Sequence, residues 1–180
     1  MHPLQTDLPV IYLKPGELYL GEQPTMVTTV LGSCVSLIFF HPPRRLGAIC
    51  HALLPTNKHE ENSFRFVDSS FHWMLKQFQS RDIPSQQIQV KLFGGADVLE
   101  CFQGECRTIT VGQQNIRQAL EMVKANGLQV QVSDLGGTWG RKLFFFTHTG
   151  EVLLKRVGKV CWVDPARGKS KSSPRDSSNE

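Results

Sequence analysis

Cys34 stands in a Gly32-Ser33-Cys34 step between two apolar runs, Met26–Leu31 and Val35–Phe40. A thiol at a tight bend is reachable by substrate and flanked by backbone N–H groups, which favour a thiolate and can donate to an oxyanion. Most cysteines are instead small buried hydrophobes, so the bend alone does not decide. His51 follows 17 residues later. If Val35–Phe40 and Leu46–Leu54 pair as a hairpin, the chain doubles back and brings His51 toward Cys34. A Cys–His pair is the minimum unit for thiol nucleophilic catalysis, the imidazole taking the thiol proton and returning it to the leaving group. Thr28 and Thr29 precede the cysteine on the incoming strand. One hydroxyl could hold the imidazole in a single tautomer, as the third member of a triad does. Strand alternation puts the two threonines on opposite faces, so only one can serve.

The other candidates are weaker. Cys50 adjoins His51 and should point to the opposite face of its strand, into the core. Cys101 and Cys106 lie in the segment CFQGEC without the second ligand pair that zinc needs, and Cys161 reads as packing. No metal is expected. Gly94-Gly95-Ala96 follows a strand but lacks the spacing of a dinucleotide turn, and Gly168-Lys169-Ser170 lacks the first glycine of a phosphate loop. No cofactor is expected either.

These residues need a scaffold, and the hydrophobic periodicity supplies one. Strands are predicted over Val10–Leu13, Leu18–Leu20, Met26–Leu31, Val35–Phe40, Leu46–Leu54, Gln89–Phe93, Leu128–Val132, Lys142–Thr147 and Glu151–Val157. Thr149-Gly150 marks a hairpin between the last two. Phe71, Met74, Leu75 and Phe78 fall on one helical face, with Asp68 or Ser69 as N-cap. A second helix fits Gln113–Asn126, with Ile116, Ala119, Leu120 and Val123 as its stripe and Gly127 after it. Strands and helices do not alternate regularly, which favours α+β over a doubly wound sheet.

The 180 residues suit one domain, and 40% hydrophobic with 20% charged residues suits a globular chain. Residues 1–164 are expected to form that domain. Residues 165–180 hold no apolar side chain beyond Ala166 and are expected to be a disordered basic tail. Arg167, Lys169, Lys171 and Arg175 against Asp176 and Glu180 account for half of the net charge of +4. A near-neutral body argues against nucleic-acid binding. No apolar run is long enough to span a bilayer, and the N-terminus lacks a signal-peptide pattern, so a cytoplasmic location is expected, with the five cysteines as thiols.

The segments VTTVLGSCVSLIFF and LGAICHALLP resemble the CheD family, the chemoreceptor glutamine deamidases of bacterial chemotaxis. KLFGGADVL, VGQQNI and DLGGTWGRKLFFFTHTGEVLLKRV resemble the later blocks of that family, in the same order. The resemblance runs from about Ile11 to Val157. It implies a β-sandwich-like α+β fold of mixed sheets with two or three helices packed outside. It implies Cys34 as nucleophile, His51 as its base and Thr28, six residues before the cysteine, as the third member. The chain departs from the family's pattern at Gln114, Phe66 and Cys50, where arginine, tyrosine and a residue other than cysteine are more usual.

By resemblance, the chain is expected to hydrolyse the side-chain amide of glutamines in methyl-accepting chemotaxis receptors, leaving glutamate and ammonia. The substrate would be the cytoplasmic helical bundle of the receptor. A different reading is a non-catalytic regulatory partner of receptors or of a CheC-type phosphatase. A general thiol protease would fit the Cys–His pair but not the ordered blocks.

Overall fold

The computed structural model describes residues 7–57, 63–97 and 109–158. Among them are nine strands and two α-helices. The strands are β1 (Val10–Tyr12), β2 (Leu18–Gly21), β3 (Met26–Leu31), β4 (Val35–His41), β5 (Leu46–Cys50), β6 (Gln89–Gly94), β7 (Val130–Leu135), β8 (Gly140–Phe146) and β9 (Val152–Val157). Helix α1 is Val67–Gln79 and α2 is Val111–Ala125.

The strands form two mixed sheets. One has four strands in the order β1-β3-β8-β9, the other five in the order β2-β5-β4-β6-β7. Period-2 alternation sorts each strand's side chains between two environments. Val27, Leu31, Leu143 and Phe145 of the smaller sheet meet Ile38, Ile49 and Phe93 of the larger one in a core between the sheets. Leu37, Phe39, Ala48, Cys50, Val90 and Leu92 face the other way, onto Phe71, Met74, Phe78, Ala119 and Val123 of the helices. Phe39 lies edge-on to Phe71 and Phe78, with ring centroids 5.4 and 5.8 Å apart. The result is three layers, sheet on sheet on helices, as expected for an α+β fold with outer helices. Every residue of β4 is buried because both its faces are covered.

Element boundaries differ from the sequence reading in ways with local causes. The strand predicted over Leu46–Leu54 stops at Cys50. Beyond it, the His51 backbone bonds to Gly16 and Glu17 just before β2, while Ala52 bridges Val35. The N-cap of α1 is Phe66, with no side-chain cap; Asp68 lies inside the first turn and accepts from the backbone of Asn57 and Ser69. Helix α2 begins at Val111, two residues earlier than expected, because the Thr110 hydroxyl caps Gln113 N–H. Leu120 is 41% exposed, so it lies off the buried stripe, and Asn115 occupies that stripe instead. The predicted strand Leu128–Val132 runs later, to Leu135, in parallel with β6. The expected tail and Cys101, Cys106 and Cys161 lie outside the described residues.

Candidate active site

β4 and β5 pair antiparallel with Ile38 opposite Ile49, and the register continues to a bridge between Val35 and Ala52 in which both backbone hydrogen bonds are 2.9 Å. This register sets Ser36 across from His51 and leaves Cys34 one step further along the same face. Cys34 and His51 are thus diagonal neighbours, a relation in which Cα atoms stand ~7–8 Å apart and longer side chains can meet. The face is the one turned toward the four-stranded sheet, since Cys34 packs against the Ile38–Ile49 core. Cys50 points to the helices and is fully buried, and burial pushes its thiol up to about 11. The alternation argument therefore holds for both cysteines.

The third member is where geometry departs from expectation. Thr28, the residue singled out by family position, does not reach His51; its buried hydroxyl has no hydrogen-bond partner among the described residues. The neighbouring Thr29 does the contacting, with Oγ1 2.8 Å from His51 Nδ1. The reason is the stacking of the sheets. Val27, Thr29 and Leu31 occupy the β3 face toward the five-stranded sheet, and alternation sends Thr28 to the outer face.

The tautomer of His51 follows from hydrogen-bond counting. Thr29 Oγ1 donates its single proton to the Leu13 carbonyl at 2.8 Å. Its oxygen must then accept from His51, so the imidazole proton sits on Nδ1. Nε2 keeps its lone pair, and it is buried without a hydrogen-bond partner among the described residues. No hydrogen bond joins Cys34 to His51.

Burial sets the charge states. It lowers the pKa of His51 below its ordinary value of 6.5, opposed by the Leu13 carbonyl and the charge of Glu17. It raises that of Cys34, opposed by the cysteine's own backbone N–H. Both side chains are therefore neutral at pH 7. A neutral imidazole with a free lone pair can serve as a general base, and a neutral thiol used as a nucleophile would have to give up its proton during attack rather than beforehand.

The bend itself is held from several sides. Gly95 N–H donates to the Cys34 carbonyl at 2.8 Å, and Ala96 N–H to the Gly32 carbonyl at 2.8 Å. Gly94 has φ +110°, and a Cβ there would fall on the Cys34 carbonyl oxygen. The Gly94-Gly95 pair, which lacks the spacing of a dinucleotide turn, thus brackets the cysteine. Next to it, Gly136 N–H donates to the Gly94 carbonyl at 2.9 Å. The Gly136 loop is clamped by Arg141, which is 1% exposed, pairs with Asp134 at 2.5 Å and donates to the Gly136 and Trp139 carbonyls. Sequence reasoning missed Asn115, whose buried carboxamide donates to the Ser33 and Leu53 carbonyls. Its signal was a polar residue four positions before Ala119 and eight before Val123, on the buried side of the helix.

Comparison with known proteins places the chain in a family. The chain is 53% identical over 159 residues to the "Probable chemoreceptor glutamine deamidase CheD 2" of Geobacter sulfurreducens, covering 88% of this chain and 95% of that protein. It is 40% identical to the "Probable chemoreceptor glutamine deamidase CheD" of Maridesulfovibrio salexigens, covering 86% and 96%. A protein of that same name from Oleidesulfovibrio alaskensis is 39% identical, covering 85% and 75%. A span of 159 residues in a chain of 180 necessarily contains Cys34 and His51. The family model described as CheD chemotactic sensory transduction matches residues 53–156, more than half of the chain. With the extensive similarity to full-length relatives, this match shows that the chain belongs to the CheD family.

Proposed function

We propose that this chain deamidates glutamine side chains of methyl-accepting chemotaxis receptors, with Cys34 as nucleophile, His51 as general base and acid, and Thr29 as the residue that orients the imidazole. The relatives carry the name of that activity over nearly their whole length. The single observation that best supports the chemistry is the Thr29–His51 contact, which leaves Nε2 unprotonated on the face that carries Cys34.

The steps follow from the proton inventory. His51 Nε2 takes the Cys34 thiol proton as sulfur attacks the carboxamide carbon. The carbonyl π pair moves to oxygen, where the Cys34 backbone N–H can donate to it. The tetrahedral adduct collapses, and the imidazolium proton goes to the departing nitrogen, releasing ammonia and leaving a thioester. Water, losing a proton to Nε2, attacks the thioester carbon; the carbon–sulfur bond breaks, sulfur regains its proton and glutamate is released. Exchange of a neutral amide for a carboxylate adds charge repulsion within a packed helical bundle and so can shift its signalling state. The receptor's modified segment is cytoplasmic, so the protein would act there. No helix among the described residues is long and apolar enough to cross a membrane.

The test is incubation with a purified receptor signalling fragment and peptide mass spectrometry. Glutamine-to-glutamate conversion by the wild type, absent in Cys34→Ala and His51→Ala, is expected. Absence of conversion under conditions where a related deamidase converts the same fragment would refute the reading. Cleavage of the receptor backbone would indicate a protease instead.

A further inference from the structure

We propose that Asn115 is a positioning residue for the thiol step, holding the nucleophile's peptide and the histidine's strand in one frame. Its Nδ2 donates to the Ser33 carbonyl at 3.0 Å and to the Leu53 carbonyl at 2.9 Å. Ser33 immediately precedes the nucleophile, and Leu53 lies two residues past the base. One side chain on α2 therefore ties together the two segments that must cooperate, across 82 and 62 residues of chain.

The bond to Ser33 has a directional consequence. The Ser33 carbonyl and the Cys34 N–H belong to the same planar peptide unit, and none of the described peptide bonds is cis. In a trans peptide the C=O and N–H vectors are opposed. A Ser33 oxygen turned toward α2 therefore turns the Cys34 N–H away from it, to the side of the sulfur. That N–H also helps to stabilise the thiolate. The following peptide is fixed independently, its Cys34 carbonyl accepting from Gly95 N–H at 2.8 Å. With both flanking peptides held, the cysteine cannot rotate its amide out of line.

Two further facts argue for this role. The carboxamide has only one workable orientation, because a flip would set its oxygen against two carbonyl oxygens. In that orientation Oδ1 is buried and without a hydrogen-bond partner among the described residues, while Asn115 is 0% exposed. An unpaired buried acceptor is costly, and an alanine on this helix face would avoid it. What the asparagine retains in return is the pair of donors aimed at the catalytic segments.

The kinetic part of this inference rests on the deamidase reading; the thiol chemistry does not. The experiment compares Asn115→Ala with Ala119→Gly, which weakens the same buried helix face without touching either carbonyl. Cys34 alkylation by iodoacetamide is followed peptide by peptide across pH, alongside kcat and KM on a receptor fragment and thermal melting. In Asn115→Ala, Cys34 alkylation at fixed pH should slow severalfold, and kcat should fall about tenfold or more with KM little changed, since an oxyanion donor is misaimed. Ala119→Gly, at an equal or larger loss of melting temperature, should retain both. Equal losses in the two variants, or wild-type kcat and alkylation in Asn115→Ala, would overturn the proposal. If Asn115→Ala does not fold, Asn115→Ser, which keeps one donor, carries the same comparison. A wild type that alkylates normally but deamidates no receptor would sink the deamidase reading while leaving the alkylation comparison to decide on Asn115.

Discussion

Replacing Thr29 by valine removes one hydroxyl and little else in shape, and the structure sets the size of the effect. The hydroxyl links Leu13 O to His51 Nδ1 at 2.8 Å on each side. In the proposed step His51 takes the thiol proton and becomes imidazolium, and the Nδ1–H bond would become charge-assisted. Hydrogen bonds to charged groups contribute about 1.5–3 kcal/mol, and each ~1.4 kcal/mol of barrier is tenfold in rate. The Leu13 carbonyl also favours the protonated ring and remains in the variant, so the lower end applies. Thr29→Val should therefore lose about tenfold to thirtyfold in kcat. Stability should fall by ~1–2 kcal/mol, since two buried groups lose a partner. Thr28→Val is the matched control. Its hydroxyl is buried and unpartnered, so its removal should leave kcat within about twofold and stability unchanged or slightly higher. Rates come from receptor-peptide deamidation followed by mass spectrometry, stabilities from urea melts. The reverse pattern, with Thr28→Val crippled and Thr29→Val active, would refute the reasoning and restore Thr28 to the role that family position suggests.

Burial holds the His51 pKa below 6.5, so the acid limb of kcat for deamidation should lie at that lower value; an acid limb centred above 6.5 would contradict it. Because the unfolded chain takes up that proton first, wild-type stability should drop as pH falls from 6.5, and His51→Asn should flatten that slope in urea titrations. Gly94→Ala places a methyl on the Cys34 carbonyl and strains a φ of +110°, so it should cost ~1–3 kcal/mol and slow Cys34 alkylation; a stable, fully reactive variant would show that the bend is not held there. Asp134→Asn should destabilise more than Arg141→Met, by about 3 kcal/mol, because it strands a guanidinium that is 2% exposed. In Arg141→Met the remaining carboxylate is 28% exposed and keeps Arg156, and equal costs in urea melts would contradict this account.

Local pattern made much of the scaffold legible. The β-branched run Met26–Leu31, the Gly32-Ser33-Cys34 bend and the apolar Val35–Phe40 run read as strand, bend, strand, and they are β3, the bend and β4. Gly127 and Gly150 were read from the turns they permit, and both have positive φ. The inward face of Cys50 followed from its being next to His51, because strand alternation is a covalent property of the chain. The end of β5 and the cap of α1 were misread for a complementary reason: Gly16, Glu17 and Asn57, which decide them, are distant in sequence.

The sequence by itself therefore determined that a cysteine at a bend would be followed by a returning strand that ends beside His51. It also determined that only one of two adjacent threonines could orient that histidine. Which threonine was left to tertiary structure. β3 pairs with β1 and β8, and the four-stranded sheet stacks on the five-stranded one through Val27, Leu31, Ile38 and Ile49, which carries Thr29 inward to His51. The same holds for Asn115, whose helix must dock before its donors meet Ser33 and Leu53. Alternation and periodicity are short-range and written in the residue order, whereas the choice of face depends on which distant apolar surfaces bury one another.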